Sequence, residues 1–156
     1  MPVYYFDTSA ILKRYRNELG TDVVDRLFDS PQGDSQFYIS FRTILELTSS
    51  ILRLVKGGQL SQSVADDMLA RFSQDIPDTF RLGPLTDAIL NGAVTVVGRH
   101  QFRSGDAIHL ATASSIFSLA PESEGILVSS DSELLSAAAN SGMGVLNPQD
   151  SDLPSG

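Results

Sequence analysis

Short apolar runs that stop at a polar residue alternate along this chain with longer stretches whose apolar positions recur every three or four residues. Val3-Tyr4-Tyr5-Phe6 is a run of β-formers that ends at Asp7, which predicts a buried strand. Asp7, Thr8 or Ser9 can cap a helix carrying Ala10, Ile11, Leu12 and Tyr15, and Gly20 breaks it. Thr21 opens a second amphipathic helix through Val23, Val24, Leu27 and Phe28. A turn-rich loop follows over 30–35, then a strand at Phe37-Tyr38-Ile39. After Ser40 the helical spacing returns at Phe41, Ile44, Leu45, Thr48, Leu52 and Val55, and Gly57-Gly58 ends it. Ser61 caps the next helix, with Val64, Met68, Leu69 and Phe72 on its apolar face.

Thr79 to Leu82 is a weak third strand. Pro84 suits the first position of a helix with Leu85, Ala88, Ile89, Ala93 and Val97. Ser104-Gly105-Asp106 opens another, with Ile108, Ala111, Ile116 and Leu119 expected inward. Gly125-Ile126-Leu127-Val128 is the clearest strand. It runs into Ser129-Ser130-Asp131 and a helix through Leu134, Leu135 and Ala138, which Gly142 stops before a last short strand at Val145-Leu146. The pattern predicts an α/β fold, one domain over residues 1–148 with a central, mostly parallel sheet flanked by helices. Residues 149–156 read as a polar tail.

Composition narrows the classes. With 156 residues and 42% apolar content the chain can bury one real core. No apolar run approaches the roughly 20 residues of a spanning helix, and Met1 to Phe6 lacks the basic start of a signal peptide, so a cytoplasmic location away from membranes is expected. The absence of cysteine excludes disulfides, thiolate metal sites and cysteine nucleophiles. The net charge is −8, and all 11 Lys and Arg lie before Ser104. Such a chain is unsuited to coating nucleic acid through phosphate contacts. It suits an acidic site whose positive charge comes from cations.

Four acids are the candidate chemistry. Asp7 and Asp131 sit just past the ends of apolar strands, where the strand ends of a parallel sheet gather and ligands bind. Each also has a plain reading as a helix cap. Glu46 lies between Leu45 and Leu47 in a largely apolar helix, and Asp106 lies in the first turn of one, where the helix dipole favours it. Singly, each has a structural explanation. Together, carboxylates brought close raise one another's pKa and need a divalent counter-charge. Mg²⁺, with its preference for a few carboxylates plus water and phosphate oxygens, suits an all-oxygen set. His100 and His109 do not form a zinc-type pair. His109, three residues past Asp106, is read as structural.

Several stretches resemble one family. Asp7-Thr8-Ser9-Ala10-Ile11-Leu12-Lys13-Arg14-Tyr15, with Glu18 and Gly20, resembles the opening motif of PIN domains, and Ile44-Leu45-Glu46-Leu47 its second acid. The stretch from Arg103 through Asp106 to Ala113 is similar to the third motif and is the most specific match. Val128-Ser129-Ser130-Asp131-Ser132-Glu133-Leu134 resembles the fourth, and Val145-Leu146-Asn147-Pro148 the usual close. The size is that of VapC-type toxins of toxin–antitoxin pairs. The resemblance implies a Mg²⁺- or Mn²⁺-dependent endoribonuclease, a homodimer, and a cognate antitoxin that blocks the site. It carries Asp7, Glu46, Asp106 and Asp131 over as the catalytic, metal-binding acids, with Ser9 and Ser129 as supporting hydroxyls.

The acidic balance implies that any RNA-facing basic surface is local. Lys13, Arg14 and Arg16 lie beside the first acid, Arg42 near Glu46, and Arg99 and Arg103 near Asp106. Of these, Arg14, Arg42 and Arg103 are the expected RNA contacts. The mechanism expected of such a site uses a cation to lower the pKa of water and polarise the scissile phosphate. It leaves a 5′-phosphate and a 3′-hydroxyl. A receiver-type phosphotransfer domain would need a second acid after the first strand and a late lysine, yet no lysine follows Lys56. A haloacid-dehalogenase-type phosphatase would need an acid where Ser9 stands. The stronger rival is a PIN-like binding module without activity, against which the presence of all four acids argues.

Overall fold

In the computed structural model, residues 1–31 and 33–150 are described. The tail expected over 149–156 therefore lies outside them from residue 151 onward. In chain order the elements are β1 (Pro2–Phe6), α1 (Thr8–Tyr15), α2 (Thr21–Asp29), β2 (Gln36–Ser40), α3 (Phe41–Lys56), α4 (Gln62–Asp78), β3 (Arg81–Gly83), α5 (Asp87–His100), α6 (Ser104–Ser118), β4 (Glu124–Val128), α7 (Ser132–Asn140) and β5 (Gly144–Leu146). All four strand pairings are parallel, and the sheet order is β3-β2-β1-β4-β5.

The strands sort their side chains by parity, as a sheet covered on both faces requires. Tyr4, Phe6, Phe37, Ile39 and Val128 point into one core with residues of α1, α3 and α4. Tyr5, Tyr38 and Leu127 point into the other, against α6 and α7. Chain direction across the sheet reverses at β1: β2 and β3 lie on one side of it, β4 and β5 on the other. In an open α/β sheet the crevice for a ligand opens at such a point, beyond the carboxyl ends of the strands. Here those ends are Phe6 and Val128, which pair directly. Asp7 extends the ladder through its N–H to Val128 O at 3.1 Å.

Four helices differ from the periodic expectation. On α3 the buried residues are Thr43, Leu47 and Ile51. Ile44 and Val55 pack at the margin, while Phe41, Leu45 and Leu52 are exposed, Leu45 at 66%. The helix is apolar on two sides, and periodicity alone does not say which side meets the sheet. The inner face of α6 is Ala107 to Leu110, Thr112 and Ala113, and Leu119, expected inward, is 83% exposed at the end of the helix. That helix is enclosed by α5 and the sheet together, so no single stripe describes it. Helix α5 begins at Asp87 rather than Pro84. The Thr86 side chain accepts from Ile89 N–H and fixes the start there. Val64 and Val97, also expected inward on α4 and α5, are exposed.

Candidate functional site

Asp7 is the first residue past β1 and is only 4% exposed. Its Oδ1 accepts from Ser9 Oγ at 2.7 Å and from Ala10 N–H at 2.9 Å, and its Oδ2 accepts from Ser129 Oγ at 2.6 Å. The cap reading and the site reading thus coincide: the carboxylate that starts α1 also reaches across the switch point to the end of β4. Burial pushes its carboxyl above the usual range, against the pull of the His109 charge, the two serine hydroxyls and Ala10 N–H. Asp7 is a buried acid whose ionised form the protein can only partly support.

The serines continue the line. Ser129 Oγ, while donating to Asp7, accepts from Asp131 N–H at 2.9 Å. Ser9 Oγ accepts from Ser130 N–H at 3.1 Å. The two hydroxyls therefore tie the loop after β4 to the N-terminal turn of α1 and its cap. Asp131 caps α7, with Oδ1 accepting from Glu133 and Leu134 N–H.

Asp106 lies in the first turn of α6 and serves no cap; the N-cap is Arg103, without a side-chain hydrogen bond. Burial raises the Asp106 carboxyl and the charge of Asp131 raises it further. The His109 charge lowers it, and Asp7 and Glu46 add to the rise. All three other acids therefore lie within electrostatic reach of Asp106, although the four come from four separate segments. Glu46 is held the other way. Burial would raise it, but the hydrogen bond and charge of His109, with Arg42 and Thr8, outweigh burial and lower it. Its Oε1 lies 3.0 Å from His109 Nε2 and 3.2 Å from Arg42 Nε.

The basic residues separate sharply. Arg42 folds over Gly105, where a Cβ would lie 3.2 Å from Arg42 Nη2, and so stands between Glu46 and the turn that carries Asp106. Arg103 is exposed at the start of the same helix. Arg14 instead pairs with Asp25 at 2.8 Å and Asp29 at 2.9 Å on α2 and covers the Phe28 ring. Lys13 is buried and paired with Glu18 at 2.8 Å. Nearness in sequence to Asp7 did not place either beside it: six or seven residues along a helix is about 9–10 Å of rise.

Sequence reading did not single out Tyr5 and Thr8. The Tyr5 hydroxyl is buried 2.7 Å from His109 Nδ1, and Thr8 Oγ1 is 3.5 Å from His109 Nε2. The available signal was parity, since Tyr5 shares a strand face with Asp7.

The donor set fits a hard divalent cation. It consists of carboxylate oxygens, with Asp7 and Asp106 pushed up chiefly by burial and Asp106 further by the neighbouring acids. Among the described residues no three Asp, Glu, His or Cys side chains are drawn together tightly enough to hold an ion as they stand. A Mg²⁺ site completed by water and phosphate needs only one or two direct carboxylates.

Comparison with known proteins places the fold. The family model described as PIN domain matches residues 4–140. No curated protein matches the chain. Among solved structures, FitAcB from Neisseria gonorrhoeae is similar with a TM-score of 0.68 at 20% identity, covering 94% of this chain and 99% of that one. A toxin–antitoxin complex from Klebsiella pneumoniae gives a TM-score of 0.59 at 18% identity, covering 93% and 97%. The sarcin–ricin-loop-cleaving toxin VapC20 of Mycobacterium tuberculosis gives 0.63 at 14% identity, covering 86% and 94%.

Proposed function

Since this chain belongs to the PIN domain family, we propose that it is a Mg²⁺- or Mn²⁺-dependent endoribonuclease acting as the toxin of a VapBC-type toxin–antitoxin pair. The observation that carries the reading is that Asp7, Glu46 and Asp131, from three separate segments, all raise Asp106 near the carboxyl ends of β1 and β4. Asp7 and Asp106 would hold the cation, with Asp131 and Glu46 completing the pocket directly or through water. When bound, the ion supplies Lewis-acid polarisation of the phosphate and a lowered pKa for water.

The chain's own residues define the rest. The Ser9 and Ser129 hydroxyls both donate to Asp7, so neither is free to attack, and there is no cysteine. The proposed nucleophile is water, with the 3′-oxygen as leaving group; attack by the RNA 2′-hydroxyl is the alternative that the product ends distinguish. Asp7, with both oxygens engaged, is a fixed ligand and not a mobile base. Arg42 and Arg103 flank Asp106 and are the side chains proposed to meet RNA phosphates.

Partners follow from the same reading. Among the described residues no helix is long and apolar enough to cross a membrane, and we place the protein in the cytoplasm. The exposed face of α3, with Phe41, Leu45 and Leu52, supports a partner-covered surface. A homodimer and an antitoxin that brings a basic side chain to the acids are its proposed occupants.

The test is cleavage of RNA by purified protein with Mg²⁺ or Mn²⁺, alongside Asp7→Asn. Cation-dependent cleavage leaving 5′-phosphate and 3′-hydroxyl ends, and lost in the variant, is the expected result. Equal cleavage by both proteins, or 2′,3′-cyclic phosphate ends, would overturn the proposal.

A further inference from the structure

Glu46 reaches the acids from α3 on a long side chain that is only half-buried. Left alone, such a side chain samples several rotamers, and holding one costs entropy. Its Oε1 instead meets His109 Nε2 at 3.0 Å. The His109 ring is 2% exposed. Behind it, Nδ1 lies 2.7 Å from the hydroxyl of fully buried Tyr5, whose ring meets the imidazole edge-on at 5.9 Å between centroids.

The chemistry of the three groups sets the direction of the line. A carboxylate only accepts, so Nε2 carries a proton and donates to Glu46. The Tyr5 hydroxyl can donate to Nδ1 of the neutral ring or accept from Nδ1 of the imidazolium. The line Tyr5–His109–Glu46 therefore keeps its shape in either state. The Tyr5 hydroxyl also has the Ser40 and Thr112 hydroxyls as hydrogen-bond partners. Phe and an aliphatic residue would fill the same space without burying a hydroxyl and an imidazole, and such replacements are often neutral or stabilising. Tyr5 also stands two residues before Asp7 on the same face of β1. One strand thus carries one acid directly and reaches a second through the imidazole.

We propose that Tyr5 and His109 are positioning residues that fix the Glu46 carboxylate at the cation site, Tyr5 acting through His109 and neither touching the cation. The inference rests on the proposed reading of the four acids. Partners behind a metal-site residue are worth about 10–100-fold in metal affinity, which gives the scale of the effect.

The test is Mn²⁺ affinity of the full chain without RNA, by calorimetry or electron paramagnetic resonance, with thermal melts in chelator to register folding. Tyr5→Phe should weaken Mn²⁺ binding about tenfold, and should have no further effect in a Glu46→Gln background. His109→Gln, whose amide can still reach Glu46, should bind Mn²⁺ more tightly than His109→Asn, whose shorter amide meets only Tyr5. This pair decides the matter should Tyr5→Phe fail to fold. Unchanged affinity in Tyr5→Phe, the same loss with Glu46 already replaced, or equal loss in both His109 variants would refute the relay. Wild-type protein that binds no Mn²⁺, or Asp106→Asn that binds as well as wild type, would instead overturn the reading of the site and the relay with it.

Discussion

Ser129→Ala removes one oxygen atom, yet it touches two acids. The hydroxyl donates to Asp7 Oδ2 at 2.6 Å and accepts from Asp131 N–H at 2.9 Å, with Ser129 itself fully buried. A buried hydrogen bond to a charged group contributes about 1.5–3 kcal/mol, and here most of it is felt by the ionised form of Asp7. Burial already pushes the Asp7 carboxyl up, and Ser129 is one of the groups holding it down. Losing the bond therefore raises it further. At about 1.4 kcal/mol per pH unit, the acid limb of the cleavage rate should move upward by at least about one unit. The assay is a pH–rate profile at subsaturating Mg²⁺, where proton and cation compete for Asp7; saturating Mg²⁺ should bring the limb back toward wild type. An acid limb that stays in place at low Mg²⁺, in a variant that still folds, would refute the assignment of Asp7 as the acid whose ionisation limits the reaction.

Asp7→Asn should abolish cleavage but raise the metal-free melting temperature at neutral pH. A group whose folded pKa is raised stabilises fully below its unfolded pKa, near 4, and loses that contribution as pH rises through the folded value. The gain, a few degrees on the scale of about 2–4 °C per kcal/mol, should vanish below about pH 4. Arg42→Ala should raise KM for RNA more than it lowers kcat and flatten the salt dependence by about one phosphate contact, read from rates across a salt series. Gly125→Ala would put a Cβ 2.5 Å from the Phe117 ring and should cost about 1–3 kcal/mol in urea melts, with Mn²⁺ affinity of the folded fraction unchanged.

The parts of the fold legible in sequence were those where pattern and chemistry change together. β1 and β4 are apolar runs that stop at Asp7 and at Ser129, and the two stops turn out to be paired strand ends at the switch point. The α3 face was not legible, because Leu45 and Leu47 are equally apolar and only the tertiary arrangement buries one and exposes the other. Glu46 could be named but not its setting, since its partner His109 lies 63 residues away. His109 was read as structural, and its hydrogen-bond distance to a candidate site acid was not foreseen. Arg14 and Arg42 looked alike as basic residues near acids. Helical rise carries the first to Asp25 and Asp29 on α2, while a glycine at 105 leaves room for the second beside Asp106.

The central claim, that these carboxylates hold a divalent cation, is tested most directly by anomalous diffraction from crystals soaked in saturating Mn²⁺. A peak is expected within about 2.2 Å of carboxylate oxygens of Asp7 and Asp106, absent from crystals of Asp106→Asn. A map with no peak at those two carboxylates, from crystals that carry Mn²⁺ elsewhere, would contradict it.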